Sequence, residues 1–326
     1  MAKRHLVKDC DAFTVTSFRN LRSKAEREQA WLEHRTKGVG GSDMSAILGI
    51  SKFSTPLDIW LSKTGRNVPE KKDSWAIRKG KHDEPLLRQW FRDLHPELGV
   101  RDGTDLSLAS RQYPHMLASL DGYLYDPSTE SFGVLECKTA NSYRAQDWRD
   151  DDGNPCIPDY YLVQVQHYLA VTGWQWGYVI ADTSGVEPLI IRFERDEEDI
   201  AVIVKAATEF WRFVESGQMP ALSNAEDVRK VYPEPVEELE DMSDDDDLYD
   251  LMQSYAAAQS KAKQAEAKAD SLKNQLIACI GPREGLSCGG YKATFKTVHR
   301  KGYTKVVEPS DSRVFRFSKP KRKEAA

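Results

Sequence analysis

Asp121, Glu136 and Lys138 are the residues of this sequence best placed to do chemistry together. Glu136 and Lys138 lie two apart in the run from Gly133 to Thr139, whose apolar content predicts a strand. Side chains alternate along a strand, so both polar groups share one face while Leu135 and Cys137 point into the core. A second strand is predicted from Leu117 to Tyr125. The turn-forming stretch from Asp126 to Phe132 joins the two as a hairpin and brings Asp121 alongside Glu136. Two carboxylates on one face repel each other, and a divalent cation between them removes the repulsion; oxygen donors suit Mg²⁺. A neighbouring lysine can neutralise charge developing on a phosphate or position an attacking water. The set therefore suits metal-assisted phosphodiester hydrolysis. The spacing alone is weak evidence, because acid and lysine two apart occur on any wet strand face. The apolar flanks of Glu136 and the Gly122 beside Asp121, which permits close approach, strengthen it.

Two further motifs fit. A helix is predicted to follow Pro85, a favoured first-turn residue, on Leu86, Leu87, Trp90, Phe91 and Leu94. Glu84 then stands at a helix start, where it either joins the acidic site or simply complements the helix dipole. Gln164 and Tyr168 lie four apart on one face of a helix predicted from Tyr160 to Val171 and ended by Gly173. The Gln164 amide either holds water or phosphate at the site or belongs to an ordinary polar stripe. Either bland reading is good alone; the motifs together, in this order, are harder to dismiss.

The elements that must position these groups read as an α/β or α+β domain over roughly residues 20–217. Ser23 and Glu26 form a capping box for a first helix reaching about Thr36. The glycine run from Gly38 to Gly41 follows, and Ser42 is placed to cap a second helix carrying Met44, Ile47 and Leu48. Strands are predicted from Trp176 to Ala181 and from Pro188 to Phe193, then a helix from Glu197 to Glu215 ended by Gly217. Residues 218–247 read as an acidic, proline-containing linker. Its run Asp244 to Asp247 could contact a partner, but acids in the first turn of a helix capped by Ser243 explain it more simply. Residues 248–326 then hold a long helix, a β-hairpin and a basic tail. The helix carries a heptad seam of Leu248, Leu251, Tyr255, four alanines, Leu272 and Leu276. That seam suits either a self-associating coiled coil or a helix laid on its own domain. The hairpin is predicted from Tyr291 to His299 and from Tyr303 to Val307, turned at Lys301-Gly302, and the basic tail is Lys319 to Lys323.

With 326 residues and 40% hydrophobic content, the chain is long and apolar enough for a real core, which excludes global disorder. No run approaches the roughly 20 apolar residues of a membrane span, and the charged N-terminus lacks a secretory h-region. Five scattered cysteines without a C-x-x-C pattern argue against a disulfide scaffold or a zinc site and point to reduced thiols in a cytosol. The net charge is −5, so any nucleic-acid contact needs a local basic surface. Arg78, Lys79, Lys81 and Arg144 are candidates, each equally readable as surface charge.

The ordered set Glu84, Asp121, Glu136-Cys137-Lys138 and Gln164 with Tyr168 resembles the PD-(D/E)xK nuclease superfamily. The stretches from Arg35 to Asp43, Ile47 to Gly49, Thr55 to Gly65 and Tyr160 to His167 resemble, more narrowly, the YqaJ-like phage recombinase family, which includes lambda-type exonucleases. The match covers roughly residues 30–215. The resemblance implies a PD-(D/E)xK core, a mixed central sheet flanked by helices. It further implies that Asp121, Glu136 and the Cys137 backbone carbonyl hold Mg²⁺, for which Mn²⁺ can substitute, as one of two ions, with Glu84 completing the acidic site. Lys138 is then the catalytic lysine and Gln164 a site residue. Arg35, Ser42 and Ser119 match a pocket for a 5′-terminal phosphate. An arginine fork and a helix N-terminus both favour a phosphate, so the physics agrees. Leu120 departs from the family, where proline usually precedes the motif aspartate, and the cysteines lack the clustering of relatives that carry an iron–sulfur centre.

The expected activity is a Mg²⁺-dependent deoxyribonuclease that degrades linear double-stranded DNA from its ends, 5′ to 3′. It would leave 3′ single strands for an annealing protein in phage-type recombination. The family also implies a ring-shaped homo-oligomer (a trimer) and a phage- or prophage-encoded protein in the cytosol of a bacterial host, with no membrane partner. Two rivals stand. An endonuclease on the same core would cut closed circles, and a non-catalytic DNA-binding adaptor would not cleave at all.

Overall fold

The computed structural model describes residues 6–66, 74–184, 187–234, 240–299 and 317. These divide by contacts into two units, Met1–Val236 and Glu237–Ala326. The first therefore runs past the expected end at residue 217. Helix α7 (Ala225–Val231) belongs to it, and buried Asp227 accepts a hydrogen bond from Thr55 Oγ1 at 2.8 Å.

Within this unit, strand β1 (Phe13–Ser17) precedes helix α1 (Lys24–Arg35). The Ser23–Glu26 capping box forms as read: Glu26 N donates to Ser23 Oγ at 3.1 Å, and Ser23 N to Glu26 Oε2 at 3.3 Å. The glycine run holds a two-residue strand, β2 (Val39–Gly40), before helix α2 (Gly41–Ile47). Ser42 does not cap α2. Gly40 is the N-cap and donates its N–H to Asp43 Oδ2 at 2.9 Å, which leaves the Ser42 hydroxyl for Arg35. Helix α3 (Pro56–Thr64) follows, capped by Thr55.

Helix α4 (Trp75–Leu94) corrects a second expectation. It begins ten residues before Pro85, because Ser74 Oγ caps it by accepting from Ile77 N at 3.3 Å. Pro85 thus sits mid-helix, where it gives up one backbone hydrogen bond, and Glu84 is an interior residue rather than a helix-start charge. Strands β3 (Gly99–Asp102) and β4 (Leu106–Ser110) lead to the predicted Leu117–Tyr125 strand, which is two strands. These are β5 (Met116–Ala118) and β6 (Gly122–Asp126), in different sheets. Asp121 lies in the bend between them, not within a strand. Strand β7 (Ser131–Thr139) pairs antiparallel with β6 as the hairpin reading required, Gly122 opposite Leu135.

Helix α5 (Asp159–Thr172) ends at Gly173 in the left-handed conformation, φ 72°. Strands β8 (Trp176–Asp182) and β9 (Leu189–Glu194) and helix α6 (Glu197–Ser216) follow at the predicted places. The central sheet has the order β3-β6-β7-β8-β9, with β7 and β8 parallel and the other pairs antiparallel. A smaller sheet is ordered β1-β4-β5-β2. On one face of the central sheet Leu87 and Phe91 of α4 pack on Leu135, Cys137 and Ile180; on the other, Val165 and Leu169 of α5 join Val134 and Val179. The α/β class expected from sequence is the fold observed.

The second unit opens with helix α8 (Asp246–Ile280), capped by Asp245, whose carboxylate accepts from Leu248 N at 2.8 Å. Ser243 is not the cap; its hydroxyl donates to Asp241. Along α8, Leu251, Leu272 and Leu276 are exposed, and Ala256 and Ile280 are buried. Strands β10 (Gly285–Cys288) and β11 (Tyr291–Thr294) form a hairpin over Gly289-Gly290. The expected strand at Tyr291 thus pairs with the segment before it. Its predicted partner, Tyr303 to Val307, and the basic tail lie outside the described residues.

Candidate active site

The C-terminal half of β7 carries Glu136 and Lys138 toward α5, and the Leu135/Cys137 face packs under α4. The expected wet face is covered, so Glu136 is only 2% exposed. Its Oε1 accepts from Gln164 Nε2 at 2.5 Å and pairs with Lys138 Nζ at 2.7 Å. Gln164 Oε1 accepts from the same ammonium at 3.0 Å, and Gln164 Nε2 also donates to Tyr168 Oη at 2.8 Å. Gln164 therefore locks acid and lysine against each other, and the four-residue spacing to Tyr168 is a real contact. Lys138 Nζ also lies 4.5 Å over the ring of Tyr161.

Asp121 reaches the same place from the bend, where its Oδ2 accepts the Cys137 backbone N–H at 2.8 Å. Burial and the charge of Glu136 push its carboxyl up to about 7. Glu84 is likewise pushed up to about 7 by burial and by Asp121, and is ion-paired with Arg88. Burial also raises Glu136, against the pull of Lys138. For Lys138, burial alone would lower the ammonium, but the charges of Glu136 and Asp121 outweigh it and hold it above the ordinary lysine range.

Three carboxyl groups thus share one site with too little positive charge among them, and Glu136 Oε2 is buried with no hydrogen-bond partner. Oxygen donors under mutual repulsion, one of them orphaned, fit a hard divalent cation. Among the described residues no three His, Cys, Asp or Glu side chains form a ready-made cage. That is compatible with Mg²⁺, which binds through one or two carboxylates and keeps several waters.

Arg35, Ser42 and Ser119 line the same cleft of about 420 Å³ as Glu84, Asp121, Glu136, Cys137, Lys138 and Gln164. Arg35 Nη2 donates to Ser42 Oγ at 2.9 Å and to Asp43 Oδ1 at 2.8 Å, and its guanidinium stacks 4.9 Å over Trp31. Trp31 Nε1 donates to Ser119 Oγ at 3.1 Å. All the predicted site residues therefore converge. Arg88, Trp31 and the support beneath Arg35 were missed, though Arg88 lies one turn beyond Glu84 and Trp31 one turn before Arg35. Of the proposed surface cations, Lys79, Lys81 and Arg144 are ion-paired with Asp83, Glu28 and Asp147.

Gly41 joins the two halves of the cleft. A Cβ there would lie 2.6 Å from Tyr168 Cε1 and 2.9 Å from the Gln164 carbonyl. At the first position of α2 alanine gains less than the about 1 kcal/mol of a helix interior, and contacts this close to a buried ring and a backbone carbonyl put the overpacking cost toward the upper end of about 1–3 kcal/mol. The Gly41→Ala protein should melt at a lower temperature. It should also lose at least about tenfold in any activity that uses Gln164, since misplacement near 1 Å is that damaging. An unchanged melting temperature would show that α2 and α5 can separate freely.

The class defined by fold and site is a mixed sheet flanked by helices, with an aspartate before one strand and Glu-x-Lys on the next, the arrangement that the resemblance to the PD-(D/E)xK superfamily leads one to expect. Residues 30–175 match the YqaJ-like viral recombinase domain. The chain is 31% identical over 295 residues to the uncharacterized protein YqaJ of Bacillus subtilis strain 168, covering 85% of each. It belongs to the YqaJ-like viral recombinase family. Among solved structures, an alkaline exonuclease from Laribacter hongkongensis is similar over 58% of this chain and 93% of its own, at 22% identity and a TM-score of 0.44. A phage-related exonuclease from Haemophilus somnus is similar over 55% and 96%, at 16% identity and 0.36. Among the described residues no helix is long and apolar enough to cross a membrane.

Proposed function

We propose that this chain is a Mg²⁺-dependent deoxyribonuclease that degrades linear duplex DNA from its ends, 5′ to 3′, and leaves 3′ single strands for an annealing protein. The observation that carries the reading is the single cleft, in which the Asp121, Glu136, Lys138 and Gln164 cluster shares its walls with Arg35, Ser42 and Ser119. A hydrolytic cluster beside a cationic pocket favours a substrate with a terminal phosphate close to the bond to be cut. The family's description as a viral recombinase supports the place of such an end-resecting activity.

In this reading Arg35 and Ser42 bind the terminal phosphate. Arg35 spends Nη2 on its protein partners and offers the rest of its fork to the ligand. Lys138 stabilises negative charge developing on the scissile phosphate, and Gln164 fixes its position relative to Glu136. A divalent cation held by Asp121, Glu136 and the Cys137 carbonyl, with Glu84 completing the site, would polarise the phosphodiester and lower the pKa of the attacking water. A ring-shaped oligomer around the duplex belongs to the same proposal.

The test is one plasmid, linearised or closed circular, with Mg²⁺ or with EDTA. Loss of the linear form alone, and only with Mg²⁺, is the expected result. Cutting of the circle would replace this reading with an endonuclease, and intact DNA in every lane would favour the adaptor.

A further inference from the structure

Beneath Arg35 lies a buried charge pair that the cleavage chemistry does not use. Asp43 is 5% exposed, and its carboxylate is fully engaged. Oδ1 accepts from Arg35 Nη2 at 2.8 Å, while Oδ2 accepts from Gly40 N at 2.9 Å and pairs with Lys63 Nζ at 2.7 Å. The Lys63 side chain, on α3, is only 4% exposed. Its ammonium makes a second bond, to the Arg35 backbone carbonyl, at 2.8 Å. Arg35 is thus gripped at both ends by one pair: its guanidinium through Asp43 and its main chain through Lys63.

Burying an ammonium and a carboxylate together is unfavourable unless their geometry is good, and such a pair is weak evidence for stability. Here it joins three elements, the C-terminus of α1, the first turn of α2 and α3. Burial alone would raise the Asp43 carboxyl, but Arg35 and Lys63 outweigh it and hold it down to about 2. The Asp43 carboxylate therefore stays charged at any working pH, whereas burial pulls the Lys63 ammonium below the ordinary lysine range against the attraction of Asp43. A permanently charged carboxylate on one edge of the fork fixes which N–H groups remain for a ligand.

We infer that Asp43 and Lys63 are positioning residues that aim Arg35 at a terminal phosphate and so set the preference for phosphorylated DNA ends. The inference rests on the proposed function, specifically on Arg35 as the phosphate group's partner. Neither residue touches the reacting atoms in this account; both act through Arg35.

The test compares steady-state digestion of linear duplexes that differ only in a 5′-phosphate or a 5′-hydroxyl. Removing one member of the pair leaves an unpaired buried charge and endangers the fold, so the primary variant is the double Asp43→Asn/Lys63→Met. It keeps shape and removes both charges. The expected result is a wild-type preference for phosphorylated ends that falls about tenfold in the variant, through a rise in KM with kcat nearly unchanged. A thermal melt confirms folding. Asp43→Asn alone keeps an acceptor for Arg35 and leaves the Lys63 ammonium its bond to the Arg35 carbonyl; it is the second variant, read only where its melt shows a folded protein, and should move KM in the same direction. A folded variant that keeps the wild-type preference, or loses equally on both kinds of end, overturns the inference, because a purely structural role predicts the latter. A wild-type enzyme that cleaves both ends equally well overturns the phosphate-pocket reading itself, and that failure is visible before any variant is made.

Discussion

Lys138→Met should lower digestion of linear DNA by about 10²–10³-fold or more, the range for losing one preorganised group that meets developing charge. The fold should survive. Deleting one partner of a buried pair costs about 3–5 kcal/mol when it strands a charge, a large part of a typical domain stability of about 5–15 kcal/mol. Glu136 has a way out: burial already pushes its carboxyl upward, so without Lys138 it takes up a proton instead of remaining as a stranded anion. Gln164 remains to hydrogen-bond it. The measurement is digestion rate beside a thermal melt. Retained activity in a folded Lys138→Met protein would remove the lysine from the mechanism and with it the present reading of the site.

The second large effect concerns metal and pH. Asp121 is raised to about 7 from an ordinary 3.8, so the folded state binds its proton more tightly than the unfolded chain does. The stability this contributes is fully present below about pH 4 and is lost as pH rises through about 7. Glu84 acts in the same direction. Buried His167, lowered to about 4 chiefly by desolvation, acts oppositely and loses stability as pH falls below the ordinary histidine range. Wild type must therefore be read against Asp121→Asn, which lacks the titrating carboxyl but keeps His167. Without metal, the stability of wild type relative to Asp121→Asn should decline by a few kcal/mol between about pH 4 and 7. At pH 8, Mg²⁺ should raise the melting temperature of wild type and leave that of Asp121→Asn nearly unmoved. Parallel pH curves would overturn the raised Asp121 carboxyl, and an equal Mg²⁺ effect on both proteins would take Asp121 out of the metal site.

The site was legible in the sequence because its chemistry is local. Glu136 and Lys138 are fixed by strand alternation and Gln164 and Tyr168 by the helical turn, each within a few residues, and Asp121 is brought to Glu136 by one hairpin. The errors arose where a local signal had a stronger neighbour. Pro85 reads as a helix start, but Ser74 caps earlier, and the amphipathic face anchored by Leu87 and Phe91 carries the helix through the proline. Ser42 reads as a cap, but Asp43 reaches the Gly40 N–H first. The apolar run around Leu120 reads as one strand because nothing in its composition reports that it changes sheets. Burial of Glu136 was hidden for a related reason: α5 covers that strand face, and such cover is a property of tertiary packing. The Asp43–Lys63 pair, joined across elements, likewise has no signature in spacing.

The bend between β5 and β6 has a consequence for how such a protein can be altered. Ser119, on the side of the proposed phosphate pocket, and Asp121, on the acidic side, are separated by one residue, Leu120, which is 3% exposed in the core. Two steps of backbone span at most about 7 Å. The interval between the group that would recognise an end and the group that would help cut is therefore written into covalent geometry, and no hinge can vary it. Side-chain substitutions can weaken either role, but only a change in chain length at this spot could alter their spacing. Such a change would also shift the register of a strand in one sheet or the other.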